Sequence, residues 1–411
     1  MKSNSKTSNW KAFGPGILFA GSAVGTSHLV QSTRAGADFS MGLIAVLILI
    51  AILKYPASRF GKDYANATGK SLIHNYASYG WPVMLIYALV IAISMAFVSA
   101  ALAMVNASIL KAAIPTGVSI KWIALSVLAI SAVLLVTGQY KFLEKLNKFL
   151  VPVFTVLILV TTSAVAIQTD WGQLNWSFPA LNTATLIYIV SIAGWLLAPL
   201  DISVFLSLWT VEKTKTGDAG EESLNLDFNI GYWVSLVLAL CFLFLGASLL
   251  GGSAEALPKQ GGAFITKMIG LFSNIFGAWS FPVICFIAFS VMYSTLLTVM
   301  DGYARNVEAL LDLSILKKST KNFETGVLLV TLTSALVILL FMKSFTLFID
   351  FVGVLVFVLG PVYAILNHRA VFGRDVPLVE QPSSLMRVWS LIGIVIISLV
   401  AVAYCYLRWA T

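Results

Sequence analysis

Residues 23–32, AVGTSHLVQS, interrupt an apolar run that extends from about residue 14 to about residue 38. A helix that crosses a hydrocarbon core of about 30 Å needs roughly 20 mostly apolar residues. Gly25, Thr26, Ser27 and His28 would therefore lie near its midpoint. Polar groups at that depth are costly unless they are paired or have a function. A second interruption occurs in LIYIVSIAGWLLAPLDISVFLSLW (residues 186–209), at Ala198, Pro199, Leu200 and Asp201. Pro199 removes a backbone donor and disturbs the turn before it. Gly25 permits backbone angles closed to other residues.

The rest of the chain makes these breaks informative. Of 411 residues 59% are hydrophobic and 11% charged, against about 25% charged in soluble domains. Eleven apolar stretches are long enough to span a bilayer: 14–38, 41–60, 81–110, 120–139, 146–168, 183–208, 229–250, 278–301, 325–342, 345–366 and 387–408. They are continuously apolar and lack the alternation of barrel strands, so they read as helices. The chain is expected to be an all-α polytopic membrane protein with eleven transmembrane helices. Each break opens a set of five spans, residues 14–168 and 183–366, and the span at 387–408 is left over. An odd number of spans per set forces the second to enter from the opposite face. The whole chain, 1–411, then reads as one transmembrane transporter domain built on a 5+5 inverted repeat. Broken helices at corresponding positions of such repeats point to a binding site near the midplane.

Charge sets the expected orientation. With the N-terminus inside, 19 of the 26 Lys and Arg fall on the cytoplasmic side and 7 outside, which the positive-inside rule favours. The inner set includes Lys2, Lys6 and Lys11, then Lys54, Arg59, Lys62 and Lys70, then Lys141, Lys145 and Lys148, and finally Lys317, Lys318 and Lys321. A multi-pass protein of the plasma (inner) membrane follows, with its N-terminus cytoplasmic and its C-terminus outside. The basic start is followed by no small-residue cleavage site, so it reads as retained. The net charge of +8 is explained by this asymmetry, and no basic patch interleaved with aromatics suggests nucleic acid. Cys241, Cys285 and Cys405 sit singly in apolar spans, without disulfide or zinc spacing. The loops at 209–228 and 302–324 are too short for a further domain.

Several candidates for a site follow. His28 could be a neutral metal ligand, a proton carrier, or a side chain bonded to the loose backbone of its break. Asp201 could coordinate a cation, partner His28 across the two breaks, or cap the half-helix that follows it. Thr26 and Ser27 could cap free N–H groups or receive a substrate carboxylate at a helix start. Gly25, Ala198 and Pro199 would supply the exposed backbone. Elsewhere, Asp301 and Asp350 lie near span ends and read as interfacial, and Lys54 and Arg34 as side chains that snorkel. Asn66-Ala-Thr is a nominal glycosylation signal on the expected inner face. Gly69-Lys70-Ser71 fails as a phosphate loop, because Tyr64 stands where the first glycine is needed.

The first 75 residues resemble the Nramp-like family of divalent metal transporters. The landmarks are Gly14-Pro15-Gly16, Ala35-Gly36-Ala37, Arg59-Phe60-Gly61 and Ala67-Thr68-Gly69-Lys70, and Pro199 falls where the family has Met-Pro-His. The resemblance implies a LeuT-type inverted repeat with spans 1 and 6 lining the site. Transport would proceed by alternating access, with spans 1, 2, 6 and 7 rocking against spans 3, 4, 8 and 9, and possible ion coupling as in a symporter. It also marks departures. Gly25, Thr26, Ser27 and His28 occupy the positions of the family's Asp-Pro-Gly-Asn, Ala198 that of its Met and Leu200 that of its His. The carboxylate ligand and soft sulfur are thus replaced. The acidic residues of span 3 and arginines of span 9 linked to proton coupling have no counterpart.

Two functions stay open: transport of a divalent cation, with His28, Asp201 and carbonyls near Thr26 and Ala198 as ligands, or transport of a small carboxylate or amino acid on the same fold. A channel would show rings of filter residues, and an enzyme a converging nucleophile, base and orienting group; neither pattern is visible. No cofactor is expected beyond a transported ion or a coupling proton or cation. The expected partners are the lipid bilayer and a small-molecule or ion substrate, with no nucleic acid and no obligatory protein partner.

Overall fold

The computed structural model describes residues 14–410 except 115, 216–220, 252–260, 314–321 and 342–343. Lys2, Lys6, Lys11, Lys317, Lys318 and Lys321 lie outside the described residues. Among the described residues there are no strands, and nine helical segments are long and apolar enough to cross a membrane. The two expected broken spans bring the total to eleven.

Span 1 consists of α1 (Pro15–Ala23), a π-helical turn (Ser27–Ser32) and α2 (Thr33–Phe39). Span 2 is α3 (Ile44–Thr68), followed by the short α4 (Leu72–Ser78), and span 3 is α5 (Trp81–Ala113). Spans 4 and 5, expected as two helices, lie within one helical element, α6 (Ile120–Gln168), as Ile120–Gly138 and Lys145–Gln168. Span 6 is α7 (Thr183–Trp195) and α8 (Ile202–Lys215), separated by the non-helical Leu196–Asp201 segment. Spans 7 and 8 are α9 (Glu221–Leu250) and α11 (Ser280–Leu313). Between them lies α10 (Gly261–Phe276), a 16-residue helix outside the eleven apolar stretches. It buries Phe264, Ile265, Met268 and Ile269 and packs on α5 and α11. Spans 9, 10 and 11 are α12 (Asn322–Phe341), α13 (Phe345–Val371) and α14 (Ser384–Ala410).

The arrangement follows from which faces are apolar on both sides. α2 and α1 pack on α9, α7 on α13, α3 on α8, and α5 on α11 and α12. The broken spans are therefore central. α1, α7 and α8 are buried along most of their lengths. Outward-facing Leu49, Ile52, Leu85, Ile86, Leu89, Leu328 and Leu332 are exposed, as expected of surfaces that meet lipid tails.

The glycine landmarks serve this packing. A Cβ on Gly36 would lie 1.9 Å from Leu243 O and 2.5 Å from Ala247 N, so α2 and α9 touch through bare backbone. Gly14 N and Gly16 N donate to Asp227 Oδ2 at 3.0 and 2.7 Å. A carboxylate from span 7 thus satisfies free donors at the start of α1, where the helix dipole favours negative charge.

Candidate functional site

The first break retains much of its helical character. After Ala23 the chain leaves the α-helix at Val24 and Gly25 and re-enters through Thr26 and the π turn. The disrupted carbonyls are answered by hydroxyls. Ser22 Oγ donates to Phe19 O at 2.7 Å, Ser32 Oγ to Ser27 O at 2.9 Å and Thr33 Oγ1 to His28 O at 3.3 Å. Thr295 of span 8 places its hydroxyl 2.8 Å from Gly21 O and 2.9 Å from Val24 O. A Cβ at Gly25 would come within 2.9 Å of Thr295 Cγ2, so glycine lets span 8 reach the break.

The second break is sharper. Leu197 and Ala198 have φ of 55° and 65°, the left-handed region that costs a non-glycine residue about 1–2 kcal/mol. Pro199 follows, and the chain resumes as α8 only at Ile202. Here the free carbonyls face an ammonium. Lys54 Nζ lies 2.6 Å from both Leu196 O and Ala198 O, 3.2 Å from Ala193 O and 3.4 Å from Gly194 O. Lys54 is buried, and it does not snorkel as its place near a span end suggested. The helix runs on to Thr68, which puts Lys54 ten residues into a 25-residue helix, roughly 15 Å deep at 1.5 Å per residue. The carbonyls at and just beyond the C-terminal end of α7, where the helix dipole is negative, solvate its charge.

A cavity of about 20 Å³ lies between the breaks, enough for about one water molecule. Ser22, Ala23, Thr26 and Ser27 line it from span 1, Ala198, Pro199 and Asp201 from span 6, and Thr295 and Tyr303 from span 8. Asp201 is buried and its Oδ2 accepts from Tyr303 Oη at 2.7 Å. Thr26 Oγ1 is also buried and has no hydrogen-bond partner among the described residues, an unusual state for a buried hydroxyl.

Thr26, Ser27, Ala198, Pro199 and Asp201 thus share one cavity, whereas Gly25 does not line it and borders the pocket that holds His28. His28 is not brought into it. Its ring lines a separate apolar pocket with Phe154, Ala288 and Met292, and Nε2 is 2.7 Å from Ser235 O. A carbonyl only accepts, so Nε2 carries a hydrogen. Nδ1 is 2.7 Å from Ser27 Oγ, which is also 2.8 Å from Ala23 O. Both ring nitrogens are therefore engaged away from Asp201. Among the described residues no three His, Cys, Asp or Glu side chains converge as a metal cluster.

Three residues expected at span margins make side-chain contacts within the protein, Arg34 and Asp350 half-buried and Asp301 fully buried. Arg34 pairs with Asp350 through Nη1–Oδ1 at 2.8 Å and Nη2–Oδ2 at 3.1 Å, and its guanidinium lies over Tyr188. Gln31 Nε2 joins the pair by donating to Asp350 Oδ1 at 3.0 Å and to Ser191 Oγ at 2.9 Å. Asp301 is buried, accepting from Trp209 Nε1 at 3.0 Å and Arg305 Nε at 2.8 Å. Neither Arg34 nor Asp301 borders the cavity between the breaks. Two residues missed as site components, Tyr303 and Thr295, come from span 8, where nothing in the local sequence marks them.

Residues 16–407 match the family model for natural resistance-associated macrophage protein-like (Nramp) proteins. The chain belongs to that family, and it is an integral, multi-pass membrane transporter rather than an enzyme. An uncharacterized protein of Pasteurella multocida is 33% identical over 369 residues, covering 88% of this chain and 84% of its own. Among solved structures, a mutant of the Eremococcus coleocola manganese transporter superposes with TM-score 0.73 at 12% identity, over 98% of this chain and 87% of that one. MhsT in complex with L-phenylalanine superposes with TM-score 0.64 at 14% identity, covering 98% of both chains. A nucleobase-cation-symport-1 family transporter with bromovinylhydantoin bound gives 0.59 at 14% identity, over 100% and 95%. These likenesses establish the LeuT-type fold with its 5+5 inverted repeat and broken helices 1 and 6.

Proposed function

We propose that this transporter moves a divalent cation by alternating access, with the cation held between the two breaks by oxygen donors. The observation that carries the reading is the pairing, in one small cavity, of the buried Asp201 carboxylate with the unpartnered Thr26 hydroxyl. Ser27 Oγ and the backbone near Thr26 complete the donor set. A cavity of about 20 Å³ accepts a desolvated ion and is too small for an organic acid in this conformation. Carboxylate, hydroxyl and carbonyl oxygens suit hard cations such as magnesium or manganese better than soft ones. Membership of the family supports a metal cargo. His28, whose nitrogens are both occupied, is assigned a positioning role: in its neutral form it requires the Ser27 hydrogen at Nδ1, and so orients a hydroxyl that lines the cavity.

The basic inner loops support a cytoplasmic N-terminus in the plasma membrane, with spans 1, 2, 6 and 7 rocking as a unit. A second reading, transport of a small carboxylate or amino acid, is favoured by one observation: among the described residues a single carboxylate, Asp201, lines the cavity, which leaves little negative charge for a dication.

The test is uptake into proteoliposomes. Manganese or magnesium uptake by the wild-type chain, lost at least tenfold in a folded Asp201→Asn variant, is expected. Absence of saturable cation uptake or binding, together with thermal stabilisation by an amino acid or organic acid, would replace it with the second reading. An imposed pH gradient, applied in the same assay, reports proton coupling.

A further inference from the structure

Lys54 presents a geometry seldom seen for a lysine. Its nitrogen is surrounded by four carbonyl oxygens at 2.6–3.4 Å, all from residues 193–198, and among the described residues no carboxylate is in hydrogen-bond contact with it. Three ammonium hydrogens are shared among four acceptors. The oxygens are the unpaired carbonyls where α7 ends, the negative pole of that half-helix. Leu197 and Ala198 hold left-handed backbone angles, and these angles are what leave the carbonyls free of the helix. Unwound carbonyls and half-helix C-terminal ends are a common way for transporters to hold cations, and rings of carbonyls replace an ion's hydration shell in channels.

We propose that the span-6 break is a built monovalent-cation site, and that the Lys54 ammonium is its tethered, permanent occupant, so that a protein lacking this charge would take up a free monovalent cation in its place. The oxygen shell is wider than the 2.0–2.1 Å of magnesium coordination, which matches potassium, ammonium or an alkylammonium head. The tethered charge keeps the strained turn at Leu197–Ala198 formed beside Asp201. The inference does not depend on which substrate is carried, since its readout is the stability of the purified protein.

Two variants test it. Lys54→Ala removes the side chain beyond Cβ and leaves space matching propylammonium; Lys54→Met keeps an apolar stem and leaves space only for the cationic head. Each is purified in a buffer whose only cation is bulky, then titrated with potassium, sodium, ammonium and propylammonium while the melting temperature is followed. Lys54→Ala is expected to show a saturable upward shift of several degrees with propylammonium, and Lys54→Met with potassium or ammonium, whereas the wild-type chain shows none at equal ionic strength. The order of the two variants' preferences should cross. Equal responses in variants and wild type overturn the proposal. So does the failure of both variants to fold in every cation, because a vacated cation site must be restorable by the ion that fits it. Loss of manganese uptake in the wild-type chain would refute the proposed cargo and leave this result unaffected.

Discussion

The two breaks occupy corresponding places in two inverted halves, yet they resolve the same problem by different chemistry. Both must satisfy backbone groups freed from a helix in a medium without water. The span-1 break stays wound, changing pitch through a π turn, and quenches its carbonyls with the short hydroxyls of Ser22, Ser32, Thr33 and Thr295. The span-6 break is fully open, carries two left-handed residues, and directs its carbonyls at a single ammonium from span 2. Neutral donors are cheap to bury and act locally. A charge is costly to bury but can hold several acceptors at once and strengthens in a low dielectric. The pseudo-symmetry therefore concerns topology, while the polar chemistry of each half is its own.

Substitutions can break or sharpen this contrast. The largest effect is expected from Gly25→Val. Its added methyls would enter the space of Thr295 Cγ2, 2.9 Å from where the Cβ begins, separating span 8 from the break. Overpacking of this kind costs about 1–3 kcal/mol. Uptake in proteoliposomes should fall more than tenfold, with expression retained, and wild-type uptake would show that this break does not form the site. Next comes Thr295→Val, which deprives Gly21 O and Val24 O of a shared donor. A loss of about 1–2 kcal/mol is expected, read as a lower melting temperature in detergent. If stability is unchanged, hydroxyls are not what holds span 1.

Ala198→Gly addresses the other break. It should relieve a φ of 65° and stabilise the fold by about 1 kcal/mol at most, a gain partly offset by glycine's greater freedom in the unfolded chain. A marked destabilisation would mean that the left-handed geometry is not strained. The smallest effect on stability belongs to Thr26→Val. Its hydroxyl has no partner to lose, so a change within about 0.5 kcal/mol is expected, accompanied by weaker cation uptake. Unchanged uptake would remove Thr26 from the proposed donor set.

Much of this architecture is legible along the chain. The long apolar runs, the two breaks and the glycine landmarks identify the fold because lipid imposes local rules: each span must be long, helical and self-satisfied. α10 carries no such signal, being a 16-residue helix that buries one face. The components of the site are less legible. Asp201 and Thr26 lie in the breaks themselves and are found. His28 lies there too, yet the turn geometry sends its ring toward Ser235 and Phe242. Lys54 is present in plain view in LILIAILKYPAS, and counting its span only to residue 60 places it near an end. Extending the helix to Thr68 moves it to the middle, the one signal that could have found it.

By itself, then, the sequence determined the class of the protein, the number of spans and the places where two of them must open, because these depend on hydrophobic length and on backbone donors, both local properties. Which side chains answer the opened backbone was decided by tertiary structure alone. Lys54 meets carbonyls some 140 positions along the chain, and Tyr303 meets Asp201 across 102. Those partners are chosen by how spans 2, 6 and 8 pack, and no spacing within any one span encodes that choice.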